Sequence, residues 1–62
     1  MPALVSVGSD GRPDGIWRIE PRGAALYDVR LRRALVLSKV PLDRVVEYML
    51  AHGGDPEKLV MR

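Results

Sequence analysis

Apolar positions recur with a helical period over only one stretch of the chain. Within Val40 to Pro56, Leu42, Val45, Val46, Met49 and Leu50 fall at i, i+3, i+4, i+7 and i+8, leaving Asp43, Arg44, Glu47 and Ala51 on other sides. This spacing predicts one amphipathic helix. Pro41 suits its first position, where a missing N–H costs nothing, and Asp43 sets a carboxylate against the positive end of the helix dipole. At the far end His52 lies near the exposed carbonyls, Gly53 can adopt the left-handed conformation that closes a helix, and Pro56 prevents continuation.

Elsewhere the pattern alternates. Ala3 to Val7, interrupted only by Ser6, reads as a short strand, and Ile16 to Glu20 as a second, with Trp17 and Ile19 on one face and Ile16, Arg18 and Glu20 on the other. Between them residues 8–15, dense in Gly, Asp and Pro, predict a flexible, turn-rich loop whose spacing does not match the alternating oxygen ligands of a calcium site. Pro21-Arg22-Gly23 ends the second strand. In the next segment Ala25, Tyr27, Val29, Leu31, Leu35 and Leu37 share one face if the chain is extended, and Asp28, Arg30, Arg32 and Ser38 the other, with a bend or bulge near Arg32-Arg33. A helix over Leu26 to Leu37 is the competing reading, because Leu, Arg and Ala are good helix formers. After the main helix, Asp55 as a cap with Pro56 and Glu57 in a first turn predicts a short helical turn through Leu59, Val60 and Met61. The expected fold is α+β: two or three antiparallel strands followed by one amphipathic helix and a short C-terminal helical turn, in a single small domain over residues 1–62.

Size and composition change this picture in one respect. A chain of 62 residues without Cys has a small core and no disulfide to staple it, so self-association, most simply a homodimer, is expected. No apolar run is long enough to span a bilayer, and Ala3 to Val7 is too short for a signal sequence; a bacterial cytoplasmic setting without a membrane partner is expected. Net charge is +2, unevenly spread. Residues 12–33 hold six arginines against three carboxylates, whereas residues 34–62 balance.

Candidate chemistry is sparse. His52 is the only histidine, Ser6, Ser9 and Ser38 are the candidate nucleophiles, and no spacing links them into a base–nucleophile arrangement. A histidine at a helix C-terminus is more often a partner of the dipole than a catalyst. One His and no Cys leave no soft metal ligand set, and no glycine-rich phosphate loop is present, so neither enzyme activity nor a cofactor is expected. Arginine remains. On an extended segment Arg30 and Arg32 project together, Arg18 joins them from the neighbouring strand and Arg33 adjoins, which makes Arg18, Arg30, Arg32 and Arg33 the candidate nucleic-acid-binding residues of a small regulator that binds DNA or RNA through an arginine-rich sheet face. Trp17 and Tyr27 either stack on bases or form the core of a chain without Phe. The alternative is a protein-interaction module, an antitoxin, inhibitor or assembly adaptor, that uses its long edge strand or the helix stripe, with Val45, Met49 and Leu50 as partner or dimer interface.

The stretch from Val40-Pro41 through the Gly53-Gly54 exit to Asp55-Pro56-Glu57-Lys58-Leu59 resembles the helical half of a small bacterial domain of unknown function found in some antitoxins. The shared pattern is a Val-Pro or Ile-Pro entering a helix, a Gly-Gly exit and a Ser- or Asp-Pro-Glu-Glu opening the next helix. The resemblance covers about a third of the chain and implies a helix-turn-helix-like arrangement, DNA binding and toxin neutralisation. It assigns no site residues.

Overall fold

The computed structural model describes residues 3–61; residues 1, 2 and 62 lie outside the described residues. The elements follow in the order β1 (Leu4–Val7), β2 (Pro13–Pro21), β3 (Leu26–Leu31), β4 (Ala34–Pro41), α1 (Leu42–Ala51) and β5 (Leu59–Met61). All strands join one antiparallel sheet in the spatial order β4-β3-β2-β1-β5. The expectation of two or three strands and a terminal helical turn is thus corrected to five strands and one short helix, the last strand standing where the second helix was expected. The helix-turn-helix arrangement implied by the Val40 to Leu59 resemblance has no counterpart among the described residues.

Two local ambiguities account for the correction. Asp55 accepts the Glu57 N–H at 3.0 Å through Oδ1, and its carbonyl accepts the Lys58 N–H at 3.0 Å. An Asp side chain makes the same bond in a turn as in a helix cap, so the motif alone does not choose between them. The choice falls to the three residues that follow, too few to nucleate a helix but enough to fill the open edge of β1. There Leu59 stands opposite Ser6, Val60 opposite Val5 and Met61 opposite Leu4.

The segment from Leu26 onward is extended, not helical, and folds into a hairpin at Arg32-Arg33. Both turn residues are left-handed, with φ of 53° and 74°. A two-residue hairpin turn with positive φ at both positions normally carries Asn-Gly. For residues with a Cβ this conformation costs about 1–2 kcal/mol each. The turn also reverses the alternation that an unbroken strand would keep. Leu31 pairs with Ala34 and Arg30 with Leu35, so Leu35 lands on the arginine side, not on the core side with Leu31. A bulge at Val36 returns Leu37 to the core opposite Val29. A second irregularity at Ser38-Lys39, where Lys39 has φ of 53° and its N–H is taken by Asp28 Oδ1 at 2.9 Å, brings Val40 opposite Tyr27.

Register defines two unlike faces. On one, Leu37, Val29, Ile19, Leu4 and Met61 form a continuous apolar rung across all five strands, with Trp17 and Leu31 on the rung beside it. Helix α1 covers this face: Val45 and Met49 are fully buried in one cluster with Ile19, Val29 and Trp17. Trp17 and Tyr27 therefore belong to the helix-covered side. The helix begins at Leu42, one residue later than expected, with Pro41 extended in the cap position and making no side-chain cap. It ends as expected for its glycines. Gly53 is left-handed at φ 79°, and the Gly54 N–H reaches back to the Met49 carbonyl at 2.6 Å.

Loop residues 8–15 divide differently from the expectation, because residues 13–15 already belong to β2. The remainder is closed by its own backbone, with the Gly8 N–H donating to the Arg12 carbonyl at 2.8 Å and the Gly11 N–H to the Gly8 carbonyl at 3.0 Å.

Gly54 lies directly against the Trp17 indole. A Cβ there would sit 2.9 Å from both Cε2 and Nε1 of a ring that is itself buried. Gly54→Ala is expected to destabilise the fold by about 1–3 kcal/mol through overpacking. Urea unfolding followed by Trp17 fluorescence checks this, and an unchanged midpoint contradicts the close packing of indole on backbone.

Candidate functional site

The helix-free face of the sheet carries the arginines. One rung crosses it from edge to edge as Leu35, Arg30, Arg18, Val5 and Val60, and the next sets Glu20 opposite Asp28. Arg18 and Arg30 thus stand directly opposite each other on the neighbouring interior strands β2 and β3. Like charges in that relation repel. Glu20, diagonal to Arg30, answers the repulsion: its Oε1 accepts from Arg30 Nε at 2.9 Å, and Oε2 lies 3.5 Å from Arg18 Nε. Both contacts are made by Nε. At the rim Arg22 Nε meets Asp28 Oδ2 at 3.0 Å.

Exposure separates the two signs of charge. The side chains of Arg18, Arg22 and Arg30 are 50%, 54% and 42% exposed, whereas those of Glu20 and Asp28 are 32% and 6% exposed. Asp28 is spent inward, on Arg22 and the Lys39 N–H. Arg33, at the hairpin tip, joins Arg18 and Arg30 around a depression of about 340 Å³ that also involves Val5 and Ile16. Four arginines against two carboxylates leave a surplus of two on this face, equal to the net charge of the whole chain. Val5 is buried here although no helix covers it. Its neighbours on the rung are Arg18 and Val60, and arginine stems shield apolar surface in this way while their charged ends remain in water.

A second recess, about 500 Å³, opens on the other side at the end of the sheet where the β3–β4 turn meets the loop after α1; Ser6, Asp14, Trp17, Arg32, His52 and Lys58 are among its lining residues. Ser6, Asp14 and His52, which no spacing linked in the sequence, are thereby brought to one cleft. Their hydrogen bonds are structural. The Ser6 hydroxyl donates to Asp14 Oδ1 and accepts the Trp17 N–H at 2.9 Å, bridging the irregular stretch of the β1–β2 ladder. The bond from Ser6, followed by that from the Ile16 N–H, lowers the Asp14 carboxyl below its ordinary range and so makes it a weaker base. His52 stacks on Tyr48 with centroids 4.0 Å apart, and its Nδ1 lies 2.9 Å from the Tyr48 carbonyl, so neither contact points to Ser6.

Of the candidate nucleic-acid residues, Arg18, Arg30 and Arg33 meet on one face. Arg32 does not border that depression; it is among the residues of the opposite cleft. Arg22 and Lys58 were not among the candidates, because only register brings Arg22 beside Asp28 and only the β5 pairing brings Lys58 to the sheet end. Trp17, buried beneath α1, is not available to stack on bases. Of the proposed partner residues, Val45 and Met49 face their own sheet and are fully buried, and Leu50 alone is exposed. Among the described residues no helix is long and apolar enough to cross a membrane.

Glu20 gives the face a pH signature. The hydrogen bond from Arg30 is the largest influence on its carboxyl, ahead of opposing desolvation; with the charge of Arg30 and the contact to Arg18, the net effect is lowering. A carboxylate whose pKa is lower folded than unfolded stabilises above the unfolded value, about 4.3, and loses that contribution as pH falls through the folded one. Glu20→Gln is therefore expected to cost less than about 1 kcal/mol near neutral pH, as befits a partly exposed pair. The gap from the parent should close on acidification below pH of about 4. Thermal melts of both proteins across that range check the sign; a gap that widens in acid contradicts it. No family model matches the chain, and comparisons with curated proteins and with solved structures likewise return no match.

Proposed function

We propose that the chain is a small non-enzymatic regulator that binds nucleic acid through the helix-free face of its sheet, with Arg18, Arg30 and Arg33 as phosphate ligands and Arg22 at the rim. The observation that carries this reading is the direct pairing of Arg18 with Arg30 on the neighbouring interior strands β2 and β3. Such a pairing works against stability. One shared carboxylate orients both guanidiniums by their inner nitrogens and leaves the outer donors for an incoming anion. A phosphate accepting from those donors relieves the repulsion that the fold tolerates. Contacts of this kind position a sugar-phosphate backbone and carry little base information, and the helix-free face offers no aromatic side chain for stacking.

A protein partner, a second copy of the chain included, is the second reading. It is favoured by Leu35 and Val60, 49% and 40% exposed at the two ends of the same rung. Salt dependence separates the two. Binding to labelled DNA and RNA pools is expected to weaken steeply with added salt, and Arg30→Ala with Arg33→Ala to flatten the slope of log K against log salt by about two units. Absence of binding at low salt ends the nucleic-acid reading. A stoichiometric protein that co-purifies with the chain and survives high salt supports the second.

A further inference from the structure

The depression on the helix-free face differs in charge from the cleft on the other side. In the cleft Arg32 and Lys58 are balanced by Asp14 and Asp55. Of the seven residues lining the depression, three are arginines and none is acidic. The carboxylate that reaches this set is Glu20, which lies 2.9 Å from Arg30 Nε and 3.5 Å from Arg18 Nε. Asp28, opposite Glu20 on the next strand, is held by Arg22 and the Lys39 N–H. Arg33 forms no ion pair among the described residues. Three guanidiniums less one carboxylate leave a local charge of +2.

These arginines surround a point and do not form a row. Arg18 and Arg30 are cross-strand partners that share one carboxylate, and Arg33 borders the same depression from the β3–β4 turn. At about 340 Å³ the depression is at the small end of ligand-sized sites, with room for one terminal group and not for a length of strand. A phosphodiester within a strand carries a single negative charge. A phosphomonoester at a strand end carries a charge near −2 above its second pKa of about 6, and it offers three acceptor oxygens. It matches the local charge, and each oxygen can meet a guanidinium. Val5 and Ile16 make up the apolar part of the depression. We infer that the depression bounded by Arg18, Arg30 and Arg33 binds the terminal phosphomonoester of a nucleic-acid strand, with the sugar of the end nucleotide against Val5 and Ile16. This rests on the helix-free face being a nucleic-acid surface, and it adds which part of the nucleic acid that face holds.

The experiment uses the full chain and one single-stranded DNA of fixed sequence, prepared with a 5′-phosphate, with a 3′-phosphate, or with hydroxyls at both ends. At least one phosphorylated form is expected to bind about tenfold more tightly than the hydroxyl form at the same salt concentration. The advantage should shrink when pH falls from about 7.5 to about 5.5, where the phosphomonoester takes up a proton. Arg18, Arg30 and Arg33 stay charged over that range, and so does Glu20, whose carboxyl is held below its ordinary range by Arg30. Arg33 has φ of 74°, a conformation that suits glycine. Arg33→Gly is therefore expected to melt no lower than the parent and to reduce the advantage to less than about threefold. Arg32→Ala, outside the depression, should keep it. Equal affinity for all forms overturns end recognition and leaves the open-face reading standing. An advantage that persists in Arg33→Gly, or that is lost as fully in Arg32→Ala, overturns the depression as its site. If no form binds at low salt, the open-face reading fails and this inference falls with it.

Discussion

Burial of Val45 and Met49 against Ile19 and Val29 is the contact on which the other features depend, because these four residues are the fully buried centre of the protein. A ten-residue helix can cover only one face of a five-stranded sheet, and it covers the apolar rung. The opposite face must then tolerate water by its own side chains. Arginine does so economically, its stem lying over apolar neighbours such as Val5 while its guanidinium remains hydrated.

The same arrangement makes the open face chemically one-sided. Carboxylates are used as internal ties, Asp28 holding Arg22 and the Lys39 backbone and Glu20 holding two guanidiniums, so positive groups are what the solvent meets. The residues that shield the apolar stems are thus also the ones that carry the exposed charge. Salt bridges at this degree of exposure contribute little to stability. Their larger effect is to hold Arg18 and Arg30 in place beside Glu20.

Edges receive similar treatment. The outer strand β4 is long enough to pair with another chain, yet two irregularities, at Val36 and at Ser38-Lys39, interrupt its ladder, and the other edge is the three-residue β5. Bulges and short edge strands are common protections against edge-to-edge association. The open face and the hairpin tip remain exposed.

The helix was legible from residue order alone, because its signals are local: the period from Leu42 to Leu50 and the Gly53-Gly54 exit depend on neighbours within two turns. The alternation of Trp17 and Ile19 against Arg18 and Glu20 was legible for the same reason. Partnership was not. Whether Leu59 to Met61 coil or extend depends on the open edge of β1, more than fifty positions away, and an Asp at the start of the segment serves a turn as well as a cap. The side on which Leu35 and Arg32 fall depends on a two-residue turn and a one-residue bulge, each of which reverses parity for every position beyond it. Sequence determined that there is a helix, several alternating strands and a surplus of arginine; tertiary pairing decided that Arg18, Arg30 and Arg33 share a face, that Arg32 leaves it, and that Val45 and Met49 are core. Side-chain period is a property of one strand, whereas register is a property of two.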